Sequence, residues 1–304
     1  MGYNCVVCVK QVPDTKNITG EAMKDDGTVS RASLPMVFNP EDRNALELAL
    51  GIKDAYGGSV TVLTMGLPKA ADVLRESLFR GADRTVLLTD RRAAGSDTLA
   101  TSYILSCAVK KLSPDIVLCG RQAIDGDTAQ VGPQMAEKLG LTLITYVEQF
   151  QGLADGVIRI RRNVGNGWEV VESDLPVLLT VMDTANVPRP PAARRLMKQK
   201  KAQCRAEIEQ QVAKDLGKDA PKEKQAAAVD ARGRQLQGRG LLIDQWSLDD
   251  IDVDLDWCGL DGSPTKVHKV NSIVLTGGDY KQFDPTDEGV AQLVGELIKE
   301  HTLG

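Results

Sequence analysis

A loop rich in small residues occupies positions 120–134, with the sequence GRQAIDGDTAQVGPQ. The apolar run 115–119 before it predicts a buried parallel strand, and the segment 135–140 after it is typical of a helix that ends at a glycine. Open α/β sheets bind nucleotides where the carboxyl end of a strand meets a helix N-terminus. The spacing therefore favours phosphate binding by backbone amides.

The side chains of this loop allow two interpretations. The amides of Gly126, Thr128 and Ala129 are unobstructed by large side chains and are candidates to cradle a phosphate. Asp125 and Asp127 would repel a phosphate, so the simpler interpretation is that Asp127 or Thr128 only caps the following helix. The loop by itself leaves both interpretations open.

A second candidate lies at the segment NPED, 39–42, which has the pattern of a helix start. Asn39 is the predicted N-cap, Pro40 is at the first helical position, and Asp42 can complete a capping box. The alternative is that Asn39 and Asp42 contact the adenine or ribose of a nucleotide, because this helix start is expected at the same sheet edge.

The loop 94–102, AGSDTLATS, again joins a predicted strand to a predicted helix. Asp97 or Thr98 can be a simple cap there. Together with the loops after residues 9 and 119, however, it would form a crevice at the carboxyl edge of the sheet that accommodates more than a mononucleotide.

Alternating apolar and amphipathic runs predict the elements that position these loops. The first 140 residues show strands at 3–9, 59–65, 84–88 and 115–119, separated by helices at 41–55, 69–79 and 97–112. This order predicts right-handed βαβ units and an α/β fold with an open, mostly parallel sheet flanked by helices, of the adenine-nucleotide-binding type. Closely spaced strands follow, and they predict a mixed or antiparallel extension of the sheet. They are at 143–150, 156–164, 168–172 and 177–182.

The pattern predicts a nucleotide-binding domain over 1–185 and a long C-terminal arm over 186–304. The segment 187–201 is proline-rich and then basic, which indicates an exposed extended arm that is either a linker or a docking element. A polar insertion follows at about 205–256, and its acidic stretch 249–254 reads as exposed chain rather than a cation site. An amphipathic helix is predicted at 289–301, packing on a partner subunit.

Composition excludes several classes of protein. A net charge of -5 argues against nucleic acid as a partner, and no apolar run is long enough to span a bilayer. The N-terminus lacks a signal-peptide pattern, so we expect a cytoplasmic protein. The six dispersed cysteines predict buried structural thiols, and the isolated His268 and His301 predict neither a metal site nor a catalytic base. No nucleophile elbow or Walker motif occurs, so we expect cofactor binding without a catalytic residue.

Several motifs in order resemble the beta subunit of electron transfer flavoprotein. They are CVKQVPD at 8–14, NPED followed by ALE at 39–47, and DGDTAQVGP at 125–133. The similarity continues through the strand pattern 157–181 as far as Lys201, and it resumes at GSPTK, 262–266. A set of motifs in the right order is more specific than any one of them.

The resemblance implies a heterodimer whose alpha subunit carries an FAD that accepts and delivers electrons. The beta subunit holds AMP as a structural nucleotide, or a second FAD in electron-bifurcating members. The resemblance and the three loops together predict the following cofactor-binding residues. They are Cys8, Val9, Lys10, Asn39, Pro40, Glu41, Asp42, Met65, Gly66, Asp97, Thr98, Thr101, Gly120, Arg121, Gln122, Asp125, Gly126, Asp127, Thr128, Ala129, Gln130, Val131, Gly132 and Pro133.

The run DTLATS at 97–102 favours FAD over AMP, because AMP-type members lack it. Thr98 and Thr101 are small and carry hydroxyls, which leaves space and hydrogen bonds for an isoalloxazine ring. The resemblance then implies a flavin reduced by NADH. One electron passes to a high-potential acceptor through the alpha-subunit FAD, and the other passes to a low-potential carrier such as ferredoxin or flavodoxin.

Two departures from the family pattern affect the expected partners. The arm 187–201 is where a dehydrogenase or quinone oxidoreductase would dock, but Ala193 stands where the family carries an apolar anchor. The insertion 205–256 is longer than in most members, and it serves either another partner or only spacing. An alternative from a different class is an adenine-nucleotide-binding regulatory module, which predicts no bound flavin and no obligatory partner.

Overall fold

The computed structural model describes residues 2–14, 34–217, 220–266 and 281–299. Eleven strands occur in these ranges, and their bounds follow the apolar runs of the sequence closely. They are β1 Tyr3–Cys8, β2 Gln11–Pro13, β3 Met36–Phe38, β4 Gly58–Met65, β5 Arg84–Leu88, β6 Ile116–Gly120, β7 Thr142–Ala154, β8 Val157–Asn163, β9 Trp168–Asp174, β10 Val177–Val181 and β11 Asp244–Trp246.

Nine of the described strands form one sheet in the order β11-β5-β4-β1-β6-β10-β7-β8-β9. Neighbours from β11 to β7 pair in parallel, whereas β8 pairs antiparallel with both β7 and β9. The small strands β2 and β3 form a separate antiparallel pair. The α/β fold with a mostly parallel sheet and an antiparallel extension is thus confirmed.

Helices cover both faces of the sheet. Their bounds are α1 Pro40–Tyr56, α2 Ala71–Arg80, α3 Thr98–Leu112, α4 Val131–Leu139, α5 Ala193–Gln199, α6 Arg205–Leu216, α7 Lys222–Gly238 and α8 Asp287–Lys299. Cys5 and Val7 of β1 belong to the core beneath α1 and α2, and Val6 and Cys8 belong to the core beneath α3 and α4. Successive side chains enter opposite cores, which explains why β1 is apolar throughout.

The helix boundaries show where local signals were sufficient. Helix α1 begins at Pro40 as predicted, and α4 ends at Gly140, which has the left-handed φ of 64° that glycine accommodates best. However, α4 starts at Val131, four residues earlier than the predicted start at 135. The predicted start was late because Gly132 and Pro133 were interpreted as loop residues.

The polar insertion contains helices and an unpredicted strand. Helices α6 and α7 share a small apolar cluster that includes Ile208, Val229 and Leu236. Strand β11 then pairs with β5 and extends the main sheet at its edge. The three residues of β11 are too short and too polar to signal a strand, and only pairing with β5 defines them.

The arm is anchored at its first half. The Arg189 guanidinium contacts Glu47 at 2.9 Å and Asp54 at 2.8 Å. The backbone carbonyl of Arg189 accepts a hydrogen bond from the Arg80 side chain. The chain is extended up to Ala192 and then forms α5, which has no buried residue. The prediction of a wholly extended arm was therefore wrong over 193–199.

Helix α8 spans Asp287–Lys299, close to the predicted helix, and exposes the apolar side chains Val290, Leu293, Val294 and Ile298. His268 and His301 lie outside the described residues. Over the ranges that the structure describes, none of the helices has the length and apolar character needed to cross a membrane.

Candidate functional site

A cavity of about 570 Å³ opens at the carboxyl ends of β1, β4 and β6. Helices α3 and α4 and the loops before them form its other walls. Its size falls within the ~300–1,000 Å³ of typical cofactor sites. It is lined by Cys8, Val9, Lys10, Asp42, Leu63, Met65, Ser96, Asp97, Thr98, Thr101, Leu105, Cys119, Gly120, Arg121, Gln122, Ala123, Gly126, Asp127, Thr128, Ala129, Gln130, Val131, Gly132 and Met135.

Most residues predicted to bind a cofactor line this one cavity, although they come from five separate segments of the chain. The predicted residues that do not line it are Asn39, Pro40, Glu41, Gly66, Asp125 and Pro133. Those six lie in the same loops or at the starts of the same helices, one or a few residues from lining positions.

Asn39 and Glu41 support the cavity wall from behind. The Asn39 amide donates to the Gln122 carbonyl at 2.9 Å and accepts from the Ile124 amide at 3.2 Å. The Glu41 carboxylate accepts from the Gln122 amide at 2.8 Å and pairs with Arg121. These polar groups therefore hold the loop after β6.

Asp42 joins two strand ends. One of its oxygens accepts from the Lys10 amide at 2.8 Å and the other from the Gly120 amide at 2.9 Å. Burial raises the pKa of Asp42 to about 7, and the neighbouring Glu41 carboxylate contributes to the rise, while the Asn39 side chain and the two amides oppose it.

The predicted capping box at α1 was therefore wrong, because neither Asn39 nor Asp42 caps the helix through its side chain. Both side chains are instead used to fix the loop that follows β6. That they contact adenine or ribose stays a prediction: each of their polar atoms has a protein partner, and Asp42 lines the cavity whereas Asn39 does not.

The amides before α4 are candidates for anion binding. Within the parts of the chain that the structure describes, no group accepts a hydrogen bond from the amides of Thr128, Ala129, Gln130 or Val131. These amides lie at a helix N-terminus, where the backbone dipoles favour negative charge. The Gly126 amide, which was predicted to join them, instead donates to the Ala123 carbonyl at 3.3 Å.

Asp127 has a different role from the predicted helix cap. It adopts a left-handed φ of 49°, and its carboxylate accepts a hydrogen bond from the Gln122 side chain at 3.1 Å. The N-cap of α4 is Gln130, which makes no side-chain cap hydrogen bond. The turn that carries the free amides is thus braced from within the loop.

Helix α3 provides the opposite wall. Asp97 is its N-cap and accepts from the Ala100 amide at 3.0 Å, as one of the two predictions for this loop required. Burial opposes ionisation of Asp97, but hydrogen bonds from Ala100 and Thr265 lower its pKa below the usual value. The Thr98 hydroxyl reaches across the cavity to the Gln130 side chain at 2.9 Å.

The apolar floor of the cavity contains residues that sequence reasoning missed. Leu63 lies two residues before Met65 on the same face of β4, and Leu105 lies one helical turn after Thr101 on α3. The strand period of two and the helix period of 3.6 would have identified both from the predicted lining residues.

The two cysteines of the cavity are not activated thiols. Cys8 of β1 and Cys119 of β6 are neighbours in the register of these two strands. Both are buried, and neither forms a disulfide. Burial raises the pKa of Cys8 to about 12 and also raises that of Cys119. In the described ranges, no group of three His, Cys, Asp or Glu side chains is arranged to hold a metal ion.

Two cations lie at the mouth. Lys10 forms an ion pair with Asp125 at 2.7 Å, and Arg121 contacts Glu41 at 2.9 Å while its guanidinium lies 5.8 Å from the centre of the Tyr146 ring. Tyr146 has a left-handed φ of 55° in strand β7, where the register with β10 shifts. The mouth therefore combines cations with the amides inside it.

The arrangement suits a ligand with phosphate at one end and a flat, largely apolar group at the other. Free amides stand beside α4, and an apolar floor with two threonine hydroxyls stands beside α3.

Comparisons with known proteins agree with this architecture. Residues 26–216 match the electron transfer flavoprotein domain family. The chain is 43% identical over 298 residues to the electron transfer flavoprotein subunit beta of Clostridium acetobutylicum, covering 98% of this chain and 99% of the relative. It is 41% identical over 308 residues to the corresponding subunit of Megasphaera elsdenii, covering 96% and 98%.

A third relative is the caffeyl-CoA reductase-Etf complex subunit CarD of Acetobacterium woodii, at 38% identity over 301 residues and with 98% and 99% covered. The fold and the cavity define an α/β protein built to hold a nucleotide-like ligand. The chain belongs to the electron transfer flavoprotein family, as a beta subunit.

Proposed function

We propose that this chain is the FAD-holding beta subunit of a heterodimeric electron transfer flavoprotein. It takes electrons from NADH and passes them on by bifurcation to a high-potential and a low-potential acceptor. The segment after residue 185 contributes to contacts with the alpha subunit, and the 187–201 arm is where a dehydrogenase or quinone oxidoreductase docks.

One observation carries the choice of FAD. The cavity does not end at the amides of 128–131 but continues to α3, where Thr98 and Thr101 face an apolar floor that includes Met65 and Leu105. A mononucleotide needs only the first part. A dinucleotide with a flat ring system would occupy both parts, with the ring against the threonines.

The residues of the chain have distinct tasks in this proposal. The amides from Thr128 to Val131 hold phosphate, and Asn39, Glu41 and Asp42 keep that loop in position. Thr98 and Thr101 offer hydrogen bonds to the polar edge of a ring, and the apolar floor excludes water from its face. A bound flavin supplies reversible one- and two-electron chemistry, and hydrogen bonds and charges of the protein tune its potential.

The names of two relatives support an electron-transfer role in a larger assembly. One is the caffeyl-CoA reductase-Etf complex subunit, and another is the acryloyl-CoA reductase electron transfer subunit gamma of Anaerotignum propionicum, at 38% identity over 302 residues. We propose that this chain likewise works beside an acyl-CoA-directed partner, with ferredoxin or flavodoxin as the low-potential acceptor.

The second candidate is a beta subunit that holds AMP and serves a non-bifurcating carrier. The free amides of residues 128–131 support AMP and FAD equally, since both ligands carry a phosphate. Membership of the electron transfer flavoprotein family removes the basis for the regulatory-module alternative, which predicted neither a flavin nor an obligatory partner subunit.

Identification of the nucleotides released by denaturing the purified heterodimer tests the proposal. We expect two FAD per heterodimer. One FAD with one AMP contradicts the FAD assignment, and the absence of any flavin contradicts the electron-carrier function.

A pair of variants localises the second FAD to the cavity. Thr101→Phe places a ring in the space beside α3 and is expected to reduce the flavin content to one FAD per heterodimer. Lys110→Phe, at the exposed end of the same helix, is the matched control and is expected to keep two. Equal contents in both variants would place the second FAD elsewhere.

A further inference from the structure

The segment 259–265 is fixed to the loop that leads into α3. The Gly259 amide donates to the Ser96 hydroxyl at 3.1 Å, and the Asp97 amide donates to the Ser263 hydroxyl at 2.9 Å. Ser263 is buried and in turn donates to the Gly259 carbonyl at 2.6 Å. The two stretches, more than 160 positions apart in sequence, thus form one hydrogen-bonded unit.

Asp97 is the centre of this unit. One of its oxygens caps α3 through the Ala100 amide, and the other accepts both the amide of Thr265, at 3.0 Å, and its hydroxyl, at 2.6 Å. The next residue, Thr98, bonds to Gln130 on the opposite wall of the cavity. A chain of hydrogen bonds therefore runs from the 259–265 segment through the N-terminus of α3 to the loop before α4.

Close packing reinforces the contact. A Cβ on Gly95 would lie 3.1 Å from the Leu260 side chain, and a Cβ on Gly259 would clash with the Arg92 carbonyl. Gly259 also has a left-handed φ of 67°. The approach of the two backbones leaves little freedom for the loop 95–97 to move independently of the segment.

From this geometry we infer that Ser263 and Thr265 are positioning residues for the cofactor cavity, acting through Asp97 on the wall that carries Thr98 and Thr101. Neither residue lines the cavity itself. The inference rests on the proposed function, since this wall is the part assigned to the flavin ring. Through these two residues, docking of the 259–265 segment is coupled to binding of FAD but not to binding of AMP.

The coupling is reciprocal by thermodynamic necessity. If the docked segment holds the α3 wall in a form that binds FAD more tightly, then bound FAD must stabilise the docked segment by the same factor. A role limited to general stability would lower the unfolding free energy without changing the ratio of the FAD and AMP affinities.

The test uses the heterodimer depleted of nucleotide and titrated separately with FAD and with AMP. Thr265→Val keeps the size and the backbone amide but removes the hydroxyl that bonds to Asp97. Loss of one hydrogen bond to a charged group predicts an FAD dissociation constant raised about 10-fold, with the AMP dissociation constant unchanged. Asp261→Asn, an exposed change in the same segment, is the control and is expected to match the wild type.

Hydrogen exchange provides the reciprocal measurement. FAD is expected to slow exchange at the Gly259 and Thr265 amides in the wild type, and to do so less in Thr265→Val. An unchanged FAD affinity in Thr265→Val, or equal losses for FAD and AMP, would overturn the inference. A wild-type cavity that binds AMP but not FAD would instead overturn the proposed function on which it rests.

Discussion

Asp42 connects the ends of β1 and β6 with a single, largely buried carboxyl group. Each of its oxygens has one backbone amide as a partner, and Glu41 lies beside it in the chain. Since burial dominates, the folded protein holds the proton of this group up to a pH of about 7, well above the usual range for aspartate.

This shift has a definite consequence for stability. A carboxyl whose folded pKa is raised contributes stability that is complete below its unfolded pKa of about 4 and is lost as pH rises through about 7. We therefore expect the wild type to lose stability relative to Asp42→Asn between pH 4 and 7. Urea unfolding of both proteins at constant ionic strength measures the difference, and a difference that is constant or grows with pH would contradict the assignment.

At the residue scale, the sequence predicted the place of the site better than the role of each side chain. Small residues after predicted strands located the loops of Gly126 and Thr98, because the carboxyl ends of parallel strands converge. The partners of Asn39 could not be predicted, since local spacing favours a helix cap and only the folded chain brings Gln122 and Ile124 beside it.

Helix α4 packs tightly against the sheet at Gly132. A Cβ at this position would lie 2.8 Å from the Cys119 sulfur and 2.8 Å from the Thr180 side chain. The free amides of residues 128–131 lie at the start of the same helix, so the packing of Gly132 also sets the position of those amides.

Two glycine substitutions test whether the contact of α4 with the sheet at Gly132 contributes to stability. Gly132→Ala forces α4 away from β6 and is expected to cost about 1–3 kcal/mol of unfolding free energy, because a well-packed core cannot absorb an extra methyl group. Gly126→Ala adds a methyl group that meets nothing within 4 Å and is expected to change stability by less than about 0.5 kcal/mol. Urea unfolding of the nucleotide-free proteins compares the two, and equal losses would contradict this account of α4.

At the element scale, strong periodicity was sufficient to predict α1 and α3. Each predicted end of these helices differs from the observed one by no more than one residue. It failed for β11 and for the pair β2 and β3, since each has only three residues. Strands this short carry no pattern of their own and exist because a partner strand supplies their hydrogen bonds.

Helix α6 of the insertion contacts the body of the protein through Arg75 of α2, in addition to the pairing of β11 with β5. The Arg75 guanidinium makes two 3.0 Å hydrogen bonds to Glu207 of α6, one to the Ala202 carbonyl at 3.0 Å, and another to Asp72. No residue of α6 or α7 lines the cavity, so we expect these two helices and the cavity to be independent of each other.

Arg75→Met tests this independence. Loss of the charged hydrogen bonds to Glu207 is expected to cost about 2 kcal/mol of unfolding free energy and to speed amide exchange in α6, while the nucleotide content stays the same. Arg232→Met, which removes an exposed pair with Asp215 at 3.5 Å, is the control and should change stability by less than about 0.5 kcal/mol. Loss of nucleotide from Arg75→Met would contradict the separation of the two parts.

The order of strands in the sheet has a consequence for how the molecule is made. β10 lies between β6 and β7, although the whole β7 to β9 segment precedes it in sequence. At a synthesis rate of about 5–20 residues per second, the edge of β6 remains open for several seconds until residue 181 has emerged. The nascent sheet therefore closes in its middle rather than growing at its edge, and until then the exposed edge of β6 is the place where a wrong strand or a chaperone would bind.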